Sequence, residues 1–336
     1  MRKEALLYEK LKDKLVHCYL CNHHCRIGDG KFGFCGVRQN SEGILYSCVY
    51  GKVIASHADP IEKKPLYHFL PGSLSLSIAT TGCNFRCGFC QNWEISQSSI
   101  RDGDLAGEEF LPRDIVKAAL DNQCRSISYT YTEPTIFFEY ALDVAKLAKT
   151  KGLYNNFVTN GYMTEQALKM LKSYLDAANI DLKFFKDASY QKICKGHLEA
   201  VLNSIRIMHR LNIWVEITTL VVPGENDSEA ELQDIATFIA SVDKNIPWHI
   251  SRFHPDYKFR EYSPTPEATL KRAQGIGNKA GLNYIYVGNV IGFGNDTYCH
   301  NCKKLLIKRE GFNVLQYNIK EGKCPFCSAV IPGVFK

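Results

Sequence analysis

The sequence predicts an α/β protein, a partial (β/α)6 TIM-like barrel with small cysteine-rich appendages at its N- and C-terminal ends. Three observations lead to this fold. Strand-like and helix-like patterns alternate through the middle of the 336-residue chain, the strand-like runs are rich in Val, Ile and aromatic residues, and cysteines gather at three places. Strands of that composition suit a parallel sheet covered on both faces. The series is short for a complete eight-unit barrel, which needs about 250 residues.

The elements of the predicted barrel follow one another in a regular order. Residues 73–79 read SLSLSIA, which has the two-residue period of a strand, and later segments switch to the helical period. Parallel strands need such crossover helices between them. The predicted strands are 73–79, 126–130, 154–159, 180–182, 214–222, 249–253 and 284–290. The predicted helices are 137–149, 164–175, 188–211, 228–242 and 266–280.

The barrel series divides the chain into three predicted units. Residues 1–70 form a cysteine-rich region that ends in a linker, because the segment 57–73 carries three prolines. Residues 71–291 form the barrel, and residues 292–336 form a zinc-ribbon-like or rubredoxin-like module. A module of that size needs a metal to hold its fold.

Composition and charge exclude several functional classes. Lys and Arg number 41 against 35 Asp and Glu, and this net charge of +6 is too small to indicate a nucleic-acid partner. No apolar run reaches the roughly 18 residues of a membrane helix, and the charged first residues lack the apolar core of a secretory signal. We therefore expect a cytoplasmic protein with no membrane partner. In that compartment the 14 cysteines indicate metal binding rather than disulfides.

The strongest signal is the middle group of cysteines, Cys83, Cys87 and Cys90, directly after the first predicted barrel strand. Three thiolates within eight residues can converge on one metal centre, in a barrel whose active site lies at the C-terminal ends of the strands. An iron–sulfur cube normally takes four cysteines, so three would leave one iron open to a cofactor or substrate. Structural thiols, or a zinc site with a distant fourth ligand, are the alternatives.

The spacing Cys83-x3-Cys87-x-Phe89-Cys90 resembles the signature of the radical S-adenosylmethionine (SAM) superfamily. The resemblance implies that the three catalytic cysteines hold a [4Fe–4S] cluster whose open iron chelates SAM. Reduction of such a cluster cleaves SAM to methionine and a 5′-deoxyadenosyl radical, which abstracts hydrogen from a substrate. The resemblance also implies that Phe89 shields the adenine.

Two further loops resemble parts of the SAM site in that superfamily. Tyr131, Thr132 and Glu133 stand where the family usually carries Gly-Gly-Glu, which receives the SAM ammonium group. Glu133 keeps the acid, whereas Tyr131 and Thr132 replace both glycines. Asn160, in the turn 159–161, is similar to a residue near the ribose in glycyl-radical activating enzymes, although a plain turn explains it equally well.

The fourth and sixth strands add three candidates that resemble the same activating enzymes. Asp181 and Lys183 match an Asp-x-Lys pattern in which the Lys faces the SAM carboxylate, and the two-residue strand period puts both side chains on one face. His249 matches a Pro-aromatic-His pattern near the adenine. The alternatives are an exposed ion pair for Asp181 and Lys183 and a packed residue for His249.

The C-terminal group predicts a structural metal site. Two Cys-x2-Cys pairs separated by 21 residues supply four soft ligands, which favour tetrahedral Zn²⁺ or a single rubredoxin-like iron. Iron there would suggest electron delivery to the main cluster. The ligands are Cys299, Cys302, Cys324 and Cys327.

The N-terminal group is a second candidate metal site. Its spacing is irregular, so buried thiols without a metal are the alternative. The candidate ligands are Cys18, Cys21, Cys25 and Cys35. The three isolated cysteines are expected to fill the core: Cys48, Cys124 and Cys194.

The sequences of residues 57–73 and 251–258 are similar to those of pyruvate formate-lyase activating enzyme-like proteins. More narrowly, they resemble the radical SAM subgroup of the AmmeMemoRadiSam system. This resemblance implies a ferredoxin- or flavodoxin-type reductant and Memo-like and AMMECR-like partner proteins. We expect a radical SAM enzyme that abstracts hydrogen from an unidentified substrate. A glycyl-radical activase acting on a protein is the alternative, and a zinc-ribbon nucleic-acid-binding protein is the third reading.

Overall fold

A computed structural model describes residues 2–98, 107–290, 292 and 295–335. The N-terminal region consists of short antiparallel strands in two three-stranded sheets, ordered β1-β6-β5 and β2-β3-β4. The strands are β1 (Lys3–Glu4), β2 (Tyr8–Lys10), β3 (Val16–Cys18), β4 (Arg26–Ile27), β5 (Arg38–Ser41), β6 (Ile44–Ser47) and β7 (Lys52–Val53). Its apolar side chains join the core of the barrel, so the region lies against the barrel.

The central part of the chain forms one eight-stranded sheet. Its strands are β8 (Ala55–Pro60), β9 (Leu74–Ala79), β11 (Ser126–Tyr129), β12 (Tyr154–Thr159), β13 (Ala177–Asp181), β14 (Trp214–Val221), β15 (Trp248–Arg252) and β16 (Ile285–Gly288), while the short β10 (Glu108–Glu109) pairs with β7. The order is β16-β15-β14-β13-β12-β11-β9-β8, and all neighbours are parallel except the antiparallel pair of β8 and β9. In the described residues β16 and β8 do not pair, so the barrel is open on that side.

Helices connect the parallel strands. They are α1 (Trp93–Ser96), α2 (Pro112–Asp121), α3 (Phe138–Thr150), α4 (Glu165–Leu171), α5 (Asp187–Ser189), α6 (Leu198–Arg210), α7 (Glu229–Val242) and α8 (Glu267–Lys279). One of them, α2 between β9 and β11, was not predicted from the sequence. Side-chain oxygens of Thr164 and Ser228 accept the backbone N–H groups that begin α4 and α7. Six strand–helix units and a seventh parallel strand result, which confirms the partial (β/α)6 barrel.

Two segments differ from the sequence prediction. The helix expected over 188–211 is interrupted: after α5 the chain makes a π-helical turn over Tyr190–Cys194, reverses at Lys195 with φ 62°, and only then enters α6. The interruption has a tertiary cause, because Gly196 lies so close to Phe85 that an added Cβ would be 2.4 Å from its ring. Residues 57–60, expected to belong to a linker, form the end of the edge strand β8.

The C-terminal residues build a small three-stranded antiparallel sheet with its own apolar cluster around Cys299 and Cys324. Its strands are β17 (Thr297–Tyr298), β18 (Leu305–Glu310) and β19 (Asn313–Tyr317). The fully buried Arg309 donates to the carbonyl of Tyr67 at 2.8 Å and thereby ties this sheet to the segment before β9. Among the residues described, no helix has the length and apolarity to cross a membrane.

Candidate cofactor site

A cavity of about 300 Å³ lies where the first four parallel strands of the barrel end. Active sites of parallel barrels occur at this edge because all strands deliver their loops to it. The cavity collects most of the site residues expected from the sequence. They are Cys83, Cys87, Cys90, Tyr131, Thr132, Glu133, Asn160, Asp181 and Lys183.

The loop that carries the three cysteines is held tightly against its surroundings. Gly82 has φ 99°, and a Cβ there would lie 2.6 Å from the side chain of Val37, so only glycine fits. The backbone N–H of Phe85 donates to Cys83 Sγ at 3.3 Å, and Cys90 Sγ lies 3.1 Å from the hydroxyl of Ser96. Burial raises the pKa of the Cys83 and Cys90 thiols, a shift that a bound metal reverses by taking up the thiolates.

The three thiols line one cavity without forming a compact group. Among the described residues, only the C-terminal four-cysteine group brings all its ligand atoms within 4.8 Å of one another. Cys83, Cys87 and Cys90 line one cavity but are spread more widely, so one ion cannot contact all three without rearrangement. An iron–sulfur cluster, which places each thiolate on a different iron, matches both observations.

Cys194 lies beside Cys87, which the sequence did not indicate. Its Sγ atom is 3.5 Å from Cys87 Sγ, and this hydrogen bond, together with burial, raises the pKa of the Cys87 thiol. The π-helical turn before α6 positions Cys194, and π-helical turns often occur at functional sites. Cys194 follows Cys90 by 104 residues in the chain, so a local sequence motif could not reveal this contact.

Glu133 joins two loops of the cavity wall. Its buried carboxylate accepts hydrogen bonds from the hydroxyls of Thr135 and Thr159 and from the backbone N–H of Asn160 at 2.8 Å. Burial nevertheless raises the pKa of Glu133. The side chain therefore fixes the ends of β11 and β12 relative to each other, a role that the motif alone did not predict.

Tyr131 occupies the position where the resembled family has glycine, and its backbone has the conformation that glycine favours. Its φ of 61° lies in the left-handed region. Three contacts hold it there: its hydroxyl donates to Asp59 at 2.6 Å, the Lys64 ammonium lies 4.5 Å from its ring centroid, and its carbonyl accepts from Asn92 at 2.8 Å. Asp59 belongs to β8 and is a second residue of the site that sequence reasoning missed.

Asp181 and Lys183 form an ion pair at the cavity wall, with Nζ and Oδ2 2.7 Å apart. Burial lowers the pKa of the Lys183 ammonium, but Asp181 together with Cys87 and Cys194 raises it above its usual value, so the group stays charged. Phe89 does not line the cavity: its ring is buried between Phe184 and Phe259, and the Lys183 ammonium lies 5.8 Å from its centroid. The predicted shielding of the adenine by Phe89 stays a prediction.

His249 lies outside the cysteine cavity. It sits near the start of β15 rather than at its end, where its Nε2 is 2.7 Å from the Glu216 carboxylate and its ring stacks on Tyr286. It lines a second cavity, of about 650 Å³, between the last barrel strands and the C-terminal sheet. Lys63 lines both cavities.

The C-terminal cysteines form a compact group suited to one tetrahedral ion. Cys299 and Cys327 have their Sγ atoms 3.6 Å apart, as have Cys302 and Cys324, and all four lie within 4.8 Å. The N-terminal cysteines also come together, around a small separate cavity.

Comparisons with known proteins agree with this geometry. A family model described as the Radical SAM superfamily matches residues 77–236, which include the three cysteines. The chain is 44% identical to the uncharacterized protein MJ0808 of Methanocaldococcus jannaschii, over 98% of both chains. It is 22% identical to the pyruvate formate-lyase-activating enzyme of Clostridium pasteurianum, over 57% of this chain and 85% of that protein. A radical SAM methyltransferase from Sphaerobacter thermophilus has the same fold, with a TM-score of 0.52 at 13% identity over 65% of this chain and 67% of that one.

Proposed function

Because the chain belongs to the radical SAM superfamily, we propose that it is an enzyme that cleaves SAM at a [4Fe–4S] cluster held by Cys83, Cys87 and Cys90. The observation that carries this proposal is the group of three thiols that line one cavity with charged walls. A [4Fe–4S] cluster has four irons, so three thiolates leave one iron without a protein ligand. When bound, the cluster and SAM supply a 5′-deoxyadenosyl radical that abstracts hydrogen from a substrate. The protein contributes orientation and the exclusion of water.

The charged groups of the cavity fit the two ends of the SAM amino acid. The Lys183 ammonium, kept charged by Asp181, is the group suited to the SAM carboxylate. The loop of Tyr131, Thr132 and Glu133 offers the surface suited to the SAM ammonium group. Asn160 lies between this loop and Cys83, with its Nδ2 3.9 Å from Cys83 Sγ, and is suited to contact the ribose.

For the substrate we favour a small molecule bound in the second cavity. Supporting this, the cavity adjoins the cofactor site through Lys63, and its volume of about 650 Å³ is in the range of small-molecule pockets. A glycyl-radical activase is the second candidate, favoured by the Asp181–Lys183 pair and by the relative named as a pyruvate formate-lyase-activating enzyme. The enzyme needs a reductant, for which a ferredoxin- or flavodoxin-type protein is proposed, and Memo-like and AMMECR-like proteins are proposed partners.

The test of SAM cleavage is anaerobic reconstitution with iron and sulfide, followed by SAM and dithionite. Wild-type protein is expected to release 5′-deoxyadenosine, and Cys87→Ala to release none, because the cluster loses a ligand. Cys48→Ala is the matched control, since Cys48 is equally buried but lies outside every cysteine group. Release of the nucleoside by Cys87→Ala at the wild-type rate, or no release by wild-type protein, would contradict the proposal.

The two substrate classes are separated by fractionating a cell extract. If the substrate is small, the dialysable fraction accelerates 5′-deoxyadenosine formation by the reconstituted enzyme. If only the retained protein fraction accelerates it, and deuterium from a labelled protein enters the nucleoside, the activase candidate is favoured instead.

A further inference from the structure

The four N-terminal cysteines surround one enclosed cavity of about 20 Å³, at the contact between the N-terminal sheets and the start of α3. A space of that size holds one atom the size of a water molecule. Apart from Arg38, His23 and Thr135, its remaining walls are carbon or backbone atoms of apolar residues and Gly33. All four cysteines are free thiols.

Three of these thiols accept backbone hydrogen bonds, as metal-bound thiolates do. The N–H of Leu20 donates to Cys18, the N–H of His23 donates to Cys21, and the N–H of Phe34 donates to Cys25 Sγ at 3.4 Å. The first two bonds span two residues, as does the bond from Phe85 to Cys83 in the catalytic loop. Burial raises the pKa of all three thiols, while these N–H groups lower it.

A buried cation lies next to the same group. The Arg38 guanidinium is fully buried, forms an ion pair with Glu139 at 2.5 Å, and lowers the pKa of Cys18 and Cys25. Thiols that only fill a core behave as small hydrophobic groups and need neither backbone donors nor a neighbouring cation. The four cysteines thus share one small space with a buried cation.

We propose that Cys18, Cys21, Cys25 and Cys35 bind a single soft divalent metal ion, Zn²⁺ or Fe²⁺, and that this centre supports the catalytic cysteine loop. Four thiolates around one ion form a closed structural site. The four Sγ atoms are spread more widely than those of the C-terminal group, so binding draws them inward and closes the small cavity.

The supporting role follows from contacts between the segment 20–37 and the catalytic loop. His23 Nε2 lies 2.6 Å from the carbonyl of Asn84, and the Arg86 guanidinium donates to the carbonyl of Phe34 at 2.5 Å. A Cβ on Gly82 would lie 3.2 Å from the carbonyl of Cys35. The segment that carries the proposed ligands thus packs directly against the loop of Cys83 and Cys87. This part of the inference depends on the proposed function.

Metal content tests the site directly in the anaerobically purified full-length protein. Cys21→Ser/Cys25→Ser is expected to lose one equivalent of zinc or iron relative to wild type and to the Cys48→Ser control. Cys299→Ser/Cys302→Ser is expected to lose a different equivalent, so the combined variant loses both. An unchanged metal count in Cys21→Ser/Cys25→Ser overturns the site, and loss of four irons with sulfide overturns the single ion.

A second measurement leaves the N-terminal cysteines intact, so it does not depend on the folding of the N-terminal double variant. The Cys299→Ser/Cys302→Ser protein, produced in cobalt-supplemented medium, is expected to show thiolate-to-cobalt charge-transfer absorption from the N-terminal site. Absence of this absorption contradicts the site even where the double N-terminal variant does not fold.

The supporting role is tested by reconstituting the catalytic cluster in Cys21→Ser/Cys25→Ser. The rate of 5′-deoxyadenosine release is expected to fall on the order of tenfold, as for other substitutions that act through a neighbouring ligand shell. An unchanged rate overturns the support. Failure of the proposed function is distinguishable, because it shows as no nucleoside from wild-type protein with the N-terminal metal still present.

Discussion

Tyr131 illustrates how a large side chain can occupy a backbone position that ordinarily belongs to glycine. A left-handed conformation is unfavourable for an L-residue by about 1–2 kcal/mol. The hydrogen bond to Asp59 offsets this, and it is strong because Asp59 is ionised: burial raises the Asp59 pKa, but hydrogen bonds from Lys64 and Tyr131 hold it below its usual range. The hydrogen bond of the Tyr131 side chain to Asp59 therefore stabilises a backbone conformation that glycine would adopt without strain.

Substitutions at Tyr131 separate the backbone effect from the anchor. Tyr131→Gly removes the anchor and the strain together, whereas Tyr131→Ala removes the anchor and keeps the strain. We expect Tyr131→Ala to be less stable than Tyr131→Gly by about 1 kcal/mol in urea unfolding. Equal stability of the two variants would show that the left-handed backbone carries no strain at this residue.

The individual residues also show where prediction from sequence ends. Cys83, Cys87 and Cys90 were predictable because all three lie within eight residues, so spacing alone brings them together. Asp59 and Cys194 were not, because each contacts a cavity residue, Tyr131 or Cys87, from a segment far away in the chain. His249 lines a cavity next to the one that the cysteines line, and its predicted contact with the adenine stays a prediction.

At the scale of the element, the turn between α5 and α6 packs against the loop that carries Cys83, Cys87 and Cys90 and restricts its position. The Gly196 backbone packs on the ring of Phe85, and the carbonyl of Cys194 accepts the backbone N–H of Arg86 at 2.9 Å. The helical period of residues 188–211 could not reveal this break, since it arises from a contact with another segment. The amphipathic patterns of α7 and α8, by contrast, were readable because each helix buries one face, whereas β9 alternates in sequence although five of its six residues are buried.

Filling the contact at Gly196 is expected to disturb the loop. Gly196→Ala would place a methyl group 2.4 Å from the Phe85 ring, and such overpacking is unfavourable by about 1–3 kcal/mol. The control is Gly275→Ala in α8, where an added Cβ has no neighbour within 4 Å. The melting temperature measured by calorimetry and the iron content after reconstitution should both fall for Gly196→Ala and not for Gly275→Ala. An equal fall in both variants would contradict the role of the Gly196–Phe85 contact.

At the scale of the whole molecule, the C-terminal sheet is held to the barrel by a buried polar network around His68. Its Nδ1 lies 2.8 Å from the carbonyl of Pro332, and its Nε2 lies 2.7 Å from the hydroxyl of Tyr286, which in turn contacts Thr297. Burial lowers the pKa of His68 from 6.5 to about 4. The junction between barrel and C-terminal sheet therefore requires a neutral imidazole.

This junction makes folding stability depend on pH. The unfolded chain takes up the His68 proton near pH 6.5 and the folded chain only near pH 4, so the unfolded state binds more protons between these values. The stability is therefore fully present above pH 6.5 and is lost as the pH falls towards 4. Urea unfolding should show this slope in wild-type protein and in His57→Gln, an exposed control, but a smaller slope in His68→Gln. Equal slopes in all three would exclude His68 as the source.

The different spread of the cysteine groups bears on how the protein acquires its metals. Zinc binds thiolates more tightly than ferrous iron does, so a thiol-rich chain is at risk of filling its catalytic site with the wrong metal. The compact C-terminal group already offers four thiols close enough for one zinc ion, whereas Cys83, Cys87 and Cys90 are only three and would have to move closer together. Zinc is therefore expected to fill the C-terminal group first, which leaves Cys83, Cys87 and Cys90 available for the proposed cluster.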